Sequence, residues 1–512
     1  MDQKSPLEDW QAASEHTADE ARPEAVDRRR AKGYQTAREN LQALCDPGSF
    51  VEYGQLAVAA QRQRRTLEEL RAETPADGVL TGLATVDGHR VALIVNDYTV
   101  LAGTQGYFHH RKIDRMLEVA RRQGLPVVMF AEGGGGRPGD VDVTIANSGL
   151  DVPTFATWAA LSGKVPRIAV AHGYCFAGNA ALFGCADITV ATRSSWIGMA
   201  GPAMIEGGGL GRFAPTEIGP IDVQTENGVV DIVVEDESEA ATVCRQLVGY
   251  FQGPTDDWSV AEQEPLRDAL PSDRRFAYAA RPVIERLVDE GTFCELRRGY
   301  GGSVITGLAR FAGRPVGILA SDTQALGGAV DATAAEKAAR FLQLLDAFNL
   351  PVVSLCDTPG FMVGPESEKQ AAVRRMSRLF VVGAQVEIPW VCVFLRKGYG
   401  LGAMALAGGS LARPDLTVAW PQGEFGAMGL EGAVRLGFRR ELEAAEDDER
   451  QALFDQLVGQ LYEKGRAVEA AAFLEVDAVI DPAETRGVVL AALDKAGKSY
   501  DRTPTKRFVD PW

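Results

Sequence analysis

Residues 81–128 read TGLATVDGHRVALIVNDYTVLAGTQGYFHHRKIDRMLEVARRQGLPVV, and residues 306–353 read TGLARFAGRPVGILASDTQALGGAVDATAAEKAARFLQLLDAFNLPVV. The second stretch repeats the first without a gap at a constant offset of 225, from Thr81 and Thr306 to Pro126 and Pro351. Asp97 and Asp322, Gly103 and Gly328, Lys112 and Lys337, and Arg115 and Arg340 recur in register. A repeat this long is a duplicated domain, not the short period of a solenoid. Any site is then built twice or shared between the copies. At 512 residues the chain also exceeds the size at which one core stops growing, roughly 250–300 residues. We expect one domain over 1–255 and a second over 256–512, with the polar Pro- and Asp-rich stretch 253–273 as linker.

Hydrophobic content of 46% and charged content of 24% are those of a globular protein. A net charge of −17 argues against nucleic acid as a partner. An anionic ligand would need a local cationic patch, and Arg28, Arg29, Arg30, Lys32 and Arg38 supply a candidate, as do Arg62, Arg64 and Arg65. The seven cysteines are scattered without a CxxC pair, which speaks against a zinc ribbon or a disulfide framework, and no metal is expected. The acidic, polar start MDQKSPLEDW does not read as a signal peptide. The uncharged stretch 168–186 is long enough to span a bilayer, but it holds His172, Asn179 and several glycines. A buried strand followed by a buried helix accounts for it better, so no membrane contact and a cytoplasmic location are expected.

Strands alternate with helices, which predicts α/β layers. Each repeat opens with two β-rich runs around a turn, Asp87-Gly88 in the first. A glycine loop, an amphipathic helix (110–123) and a buried strand (126–131) follow. A further strand–turn–helix–strand unit covers 167–171, an apolar helix and 188–191. Its counterpart is 390–395, a helix over 403–411 and 416–419. Residues 25–44 have helical spacing, with Thr36 and Glu39 as a capping box. The charge run 441–452 reads as a solvated helix face.

The strongest chemical signals are two glycine turns after buried strands, AHGYCFAGNA (171–180) and RKGYGLGAMA (396–405). Small residues let backbone approach a ligand closely. Free N–H groups at a helix start suit a developing oxyanion. Close helix–strand packing alone would explain either turn singly. EGGGGR (132–137) and EGGGLG (206–211) lack the Lys-Ser/Thr of a phosphate loop and are poor nucleotide motifs; as turns lining a pocket they remain open. Side-chain catalysts are scarce. All five histidines lie in the first half, and neither HExxH nor GxSxG occurs. His172 reads as a core imidazole and Cys175 as a small buried residue without a base. Catalysis by backbone dipoles is favoured over a titrating side chain.

Several segments together resemble the carboxyltransferase (β) subunits of biotin-dependent acyl-CoA carboxylases, of the propionyl-CoA and methylcrotonyl-CoA carboxylase type, within the crotonase superfamily. They are AKGYQTAREN (31–40), NDYTVLAGTQG (96–106), GYCFAGNAA (173–181), DAFNLPVVSLCDTPGFMVG (346–364), RKGYGLG (396–402) and AWPQGEFGAMGLEGAV (419–434). The resemblance covers about 28–433. It implies two tandem crotonase-like ββα domains, acyl-CoA on the first and biotin on the second, with the first domain of one subunit facing the second domain of another. The amides around Ala177 and Gly178 would hold the thioester enolate oxygen, and those around Leu401 and Gly402 the ureido oxygen of biotin. Arg29, Lys32 and Arg137 would bind coenzyme A, and Phe361, Tyr399, Gly400 and Met404 would line the biotin side. Carboxybiotin would release CO2, its nitrogen would take the α-proton, and the enolate would attack CO2. The implied partners are a biotin carboxylase and a biotin carboxyl carrier protein on separate chains, since no Met-Lys-Met attachment motif is present, and further copies of the chain in a dimer-built hexamer.

The chain departs from the family pattern at 132–140, at 206–211 and 218–221, and at Met404, where propionyl-type members carry Asp. These changes predict a non-standard acyl chain. A biotin-dependent acyl-CoA decarboxylase, a non-catalytic CoA-binding scaffold and, more remotely, a nucleotide-dependent oxidoreductase are the competing readings.

Overall fold

A computed structural model describes residues 5–137, 139–143, 150–495 and 507–512, with the backbone alone at 447 and 448. Contacts divide the chain between Gln252 and Gly253. Residues 507–511 belong to the first unit, where Val509 N–H donates to Ser162 Oγ at 2.8 Å.

Each unit holds an eight-stranded mixed sheet with the same strand order. In the first, the antiparallel hairpin Val79–Val86 and His89–Asn96 leads to parallel strands Val127–Gly133, Arg167–Phe176 and Ile188–Thr192. In the second, Val304–Phe311 and Arg314–Ser321 lead to Val352–Thr358, Trp390–Tyr399 and Leu416–Ala419. A short strand pairs with the far end of the longest one in each unit, Trp196–Gly198 and Glu424–Gly426. The central parallel strands are buried throughout, as strands covered on both faces must be. Helices Tyr107–Gln123 and Ala332–Ala347 make the crossovers.

Hydrophobic periodicity locates the strands well and the helix starts less well. The amphipathic helix begins at Tyr107, not at 110. The apolar helix expected over 403–411 spans Gly400–Leu406, because Gly400 at φ +56 turns the chain straight out of its strand. Residues 25–44 form two helices, Pro23–Arg30 and Ala37–Leu44. Gly33 at φ +83 breaks them, and the Thr36–Glu39 capping box starts the second. The uncharged stretch is strand Arg167–Phe176 followed by helix Gly178–Gly184. Among the described residues no helix is long and apolar enough to cross a membrane. The charge run falls across helices Arg439–Ala444 and Asp447–Gly465.

The repeated residues have repeated jobs. Leu101, Ala102 and Gly103 all have positive φ, and so do Leu326, Gly327 and Gly328. A Cβ on Gly103 would lie 2.6 Å from Glu132 O, and one on Gly328 would strike Asp357 O. These glycines let a left-handed turn rest on the end of the neighbouring parallel strand. Lys112 Nζ donates to Ala76 O at 2.8 Å and to Val79 O, closing another left-handed segment at Ala76, Asp77 and Gly78. Burial lowers the Lys112 ammonium to about 8 and its repeat Lys337 to about 7.

Replacing Gly103 by Val should cost about 3 kcal/mol or more, from positive-φ strain plus backbone overlap. Gly432 has open space around it in helix Leu430–Gly437. Its replacement by Ala should be neutral or stabilise by about 0.5 kcal/mol. Urea unfolding followed by circular dichroism measures both.

Candidate active site

In the first unit, strand Val127–Gly133 runs into the loop 134–137, and the neighbouring strand Arg167–Phe176 runs into the turn at Ala177 and Gly178. The loop is pinned by Gln105 N–H donating to Gly135 O at 2.9 Å and Arg137 N–H donating to Gln105 O at 2.8 Å. In the second unit Val330 N–H donates to Gly360 O at 3.0 Å and Met362 N–H to Val330 O at 2.9 Å. The two loops are the same structure at the same offset of 225. The following strands are not: Gly133 pairs with Cys175, and Thr358 pairs with Gly398. The second unit is two residues shorter between those strands. Bond register therefore matches Ala177 with Gly400, Gly178 with Leu401, and Asn179 with Gly402. The positive φ values of Ala177 (+51) and Gly400 (+56) fall at matching places.

This register sorts the expected oxyanion donors. Ala177 N–H is already donated to Gly198 O at 3.0 Å, because Ala177 continues the pairing of its strand with Trp196–Gly198. It is corrected as a donor: its place in the site is conformational. Among the described residues nothing accepts a hydrogen bond from the N–H of Gly178, Leu401 or Gly402. These sit in the first turns of helices Gly178–Gly184 and Gly400–Leu406, where backbone donors have no internal partner. A Cβ on Gly135 would come 2.8 Å from the Ala177 Cβ, and one on Gly402 would come 2.6 Å from Gly360 C. Each turn thus lies flat against its loop.

The tie between turn and loop differs. In the first unit Asn179, 1% exposed, donates through Nδ2 to Gly134 O at 2.8 Å and Gly103 O at 3.1 Å. Its Oδ1 accepts from Asn96 Nδ2 at 2.7 Å and Gln105 Nε2 at 2.9 Å. In the second unit Gly402 replaces this amide and backbone meets backbone. Asn96, Gln105, Gly135 and Asn179 were not singled out as site residues from sequence. The glycine cluster at 133–136 was the signal for Gly135; the amide network has no local signature.

Of the residues expected to hold coenzyme A, Arg29 and Arg137 are spent inside the protein. Arg29 forks onto Glu132 at 2.6 and 2.7 Å, both side chains buried, and stacks on the Tyr34 ring at 4.6 Å. Burial raises the Glu132 carboxyl, against the pull of His172 and Arg29. Arg137 pairs with Asp77 at 2.5 Å and donates to Thr104 O at 2.8 Å. A buried guanidinium neutralised by a carboxylate leaves no free charge for a phosphate. Lys32 is exposed, as is Arg28. Both border a cavity of about 230 Å³ shared with Tyr34, Tyr98 and Tyr174. On the other side, Tyr399 is buried, Phe361 and Met404 are half-buried, and Leu401 is 59% exposed. Cys175 is fully buried and burial pushes its thiol up, which removes it as a nucleophile.

Two tandem units, each ending a parallel strand in a glycine turn with unspent amides, are crotonase-like domains. A family profile described as a carboxyl transferase domain matches residues 28–508, and the chain belongs to that family, the carboxyltransferases of biotin-dependent acyl-CoA carboxylases. It is 34% identical over 506 residues to the propionyl-CoA carboxylase β chain of Saccharopolyspora erythraea, covering 94% of this chain and 91% of that one. A transcarboxylase 12S structure, described as a hexamer with methylmalonyl-coenzyme A and methylmalonic acid bound, matches with TM-score 0.86 and 30% identity over 100% of this chain and 99% of that one. A single-chain, multi-domain long-chain acyl-CoA carboxylase matches with TM-score 0.91 and 52% identity over 96% of this chain. The chain spans 49% of that protein's length.

Arg29→Met strands the buried Glu132 carboxylate and should cost about 3–5 kcal/mol. The double change Arg29→Met, Glu132→Leu should recover most of that loss. Denaturant titration of the two variants checks the pair as a structural one.

Proposed function

We propose that this chain moves a carboxyl group from carboxybiotin, borne on a partner carrier, to the α carbon of an acyl-CoA longer than propionyl-CoA. The carrying observation is the pair of matched turns whose Gly178 and Leu401–Gly402 amides are left unspent beside flat glycine loops. Gly178 N–H stabilises the charge that grows on the thioester oxygen as the α-proton leaves. Leu401 and Gly402 N–H do the same for the ureido oxygen of biotin. One such donor is worth about 3–4 kcal/mol where it has been measured. Biotin, when bound, supplies the transferable carboxyl group and a basic ureido nitrogen. Neither candidate beside the first turn is placed as a base: Cys175 is buried with its thiol pushed up, and His172 is 1% exposed among Arg29, Glu132 and Glu237.

Coenzyme A is assigned to the first unit, with Arg28 and Lys32 facing its phosphates at the tyrosine-lined cavity. Phe361, Tyr399, Gly400 and Met404 are assigned to the biotin side. The long acyl chain is supported by the 52% identity to a long-chain acyl-CoA carboxylase and by Met404 in place of the Asp of propionyl-type members. A biotin carboxylase and a biotin carboxyl carrier protein complete the reaction. The chain assembles as a hexamer, like the 12S protein, in the cytoplasm.

Reconstitution tests this reading: the chain, biotinylated carrier, biotin carboxylase, ATP, labelled bicarbonate and acyl-CoAs from acetyl to stearoyl. Label should be fixed only when the chain is present, with kcat/KM rising beyond propionyl-CoA. A clear preference for propionyl-CoA refutes the long-chain assignment, and fixation without the chain refutes the activity. Loss of ATP-dependent fixation together with decarboxylation of the product would favour the decarboxylase reading.

Gly178→Val would drive a side chain into Gln105 Oε1, and Gly402→Val into Gly360. Each should lower kcat by about 100-fold or more while the other unit stays folded. Turnover within about tenfold of wild type would exclude these turns as the site.

A further inference from the structure

The duplication supplies an internal control for the wall beside each turn. In the first unit, Tyr174 and Phe176 on the long strand and Trp196 on the short strand form an aromatic stack, with centroids 5.8 and 5.1 Å apart. Bond register puts Lys397, Tyr399 and Glu424 at those places in the second unit. The fold accepts an apolar filling here, yet the second unit carries charge. Glu424 is 1% exposed and Tyr399 is 2% exposed. Among the described residues neither the Tyr399 phenol nor either Glu424 carboxylate oxygen meets a partner at full hydrogen-bond geometry; the polar group each lies against is the other. Arg274 Nη1 stands 3.7 Å from Glu424 Oε1, and its Nη2 is held by Glu431 at 2.7 Å.

A buried acid and phenol whose contact is this loosely made are costly, and need a reason. The location gives one. Tyr399 directly precedes Gly400, where the turn begins. A Cβ on Gly400 would lie 2.8 Å from Ala427 O, and one on Gly426 would lie 3.6 Å from the Tyr399 ring. The 424–427 segment is therefore one jaw of a clamp on the turn, and Gly360 and Phe361 are the other. Burial raises both the Glu424 carboxyl and the Tyr399 phenol, which face each other.

We propose that Glu424, with Tyr399, is a positioning residue for carboxyl transfer, holding the turn 400–402 so that its amides point at the biotin ureido oxygen. This rests on the carboxyl-transfer reading above. The polar pair sets the turn through geometry and touches no reacting atom. Because the first unit does without it, it belongs to the demands of the second unit's ligand.

The test uses the reconstituted system, with the acyl-CoA the wild type carboxylates best. Glu424→Leu should lower kcat by about 30-fold or more, with KM for acyl-CoA within about twofold and little change in melting temperature. Glu424→Gln keeps shape and polarity and should stay within about fivefold of wild type. Tyr399→Phe, which removes only the phenol oxygen, should lower kcat by about tenfold. Full kcat in both Glu424→Leu and Tyr399→Phe overturns the proposal. So does a fall in kcat, KM behaviour and melting temperature together that Glu424→Gln does not relieve, since that marks a merely structural residue. A wild-type chain that fixes no label refutes carboxyl transfer itself, and this proposal with it.

Discussion

The contact on which both units depend is a close one: a loop leaving one parallel strand lies flat on the turn leaving the next. At Gly135 and at Gly402 there is no room for a methyl group between the two segments. That closeness keeps the first amides of a short helix from folding back onto other acceptors. An amide left unpaired is expensive in a dry interior, so the arrangement makes sense where a ligand oxygen will arrive. The surrounding elements, including the left-handed turns at 101–103 and 326–328, hold the two segments at that spacing.

The layer architecture and the duplication were legible in sequence because both are written in hydrophobic period and in identity at a fixed spacing. The hairpin turns show how far this goes. Asp87-Gly88 is a familiar pair for a tight hairpin, and the structure has both at positive φ. Ala312-Gly313 makes the equivalent turn without so clear a cue. The constant offset of 225 places it opposite Asp87-Gly88 all the same.

In sequence the candidate site reads as two glycine turns, and the structure makes each a strand-to-helix turn. The turns at 171–180 and 396–405 were recognisable from small residues after buried strands. Which amide is free depends on whether the neighbouring strand continues its pairing, and Ala177 shows that it does. The constant offset of 225 also lapses by two residues between the third and fourth strands of the repeat, so matching by number alone misaligns the turns. The cationic candidates meet a different limit. Arg29 and Arg137 lie in suggestive motifs, but their carboxylate partners Glu132 and Asp77 are distant or unremarkable in sequence. A guanidinium that neutralises an internal acid looks the same in one dimension as one waiting for a phosphate.

Matching by bond register places Leu401, 59% exposed, where the first unit has glycine. The chemistry at that point belongs to the peptide group, which every residue type except proline provides. The side chain there is consequently decoupled from the reaction step. Evolution, or an engineer, has at this one spot a handle for reshaping the ligand chamber that leaves the electrostatic machinery intact.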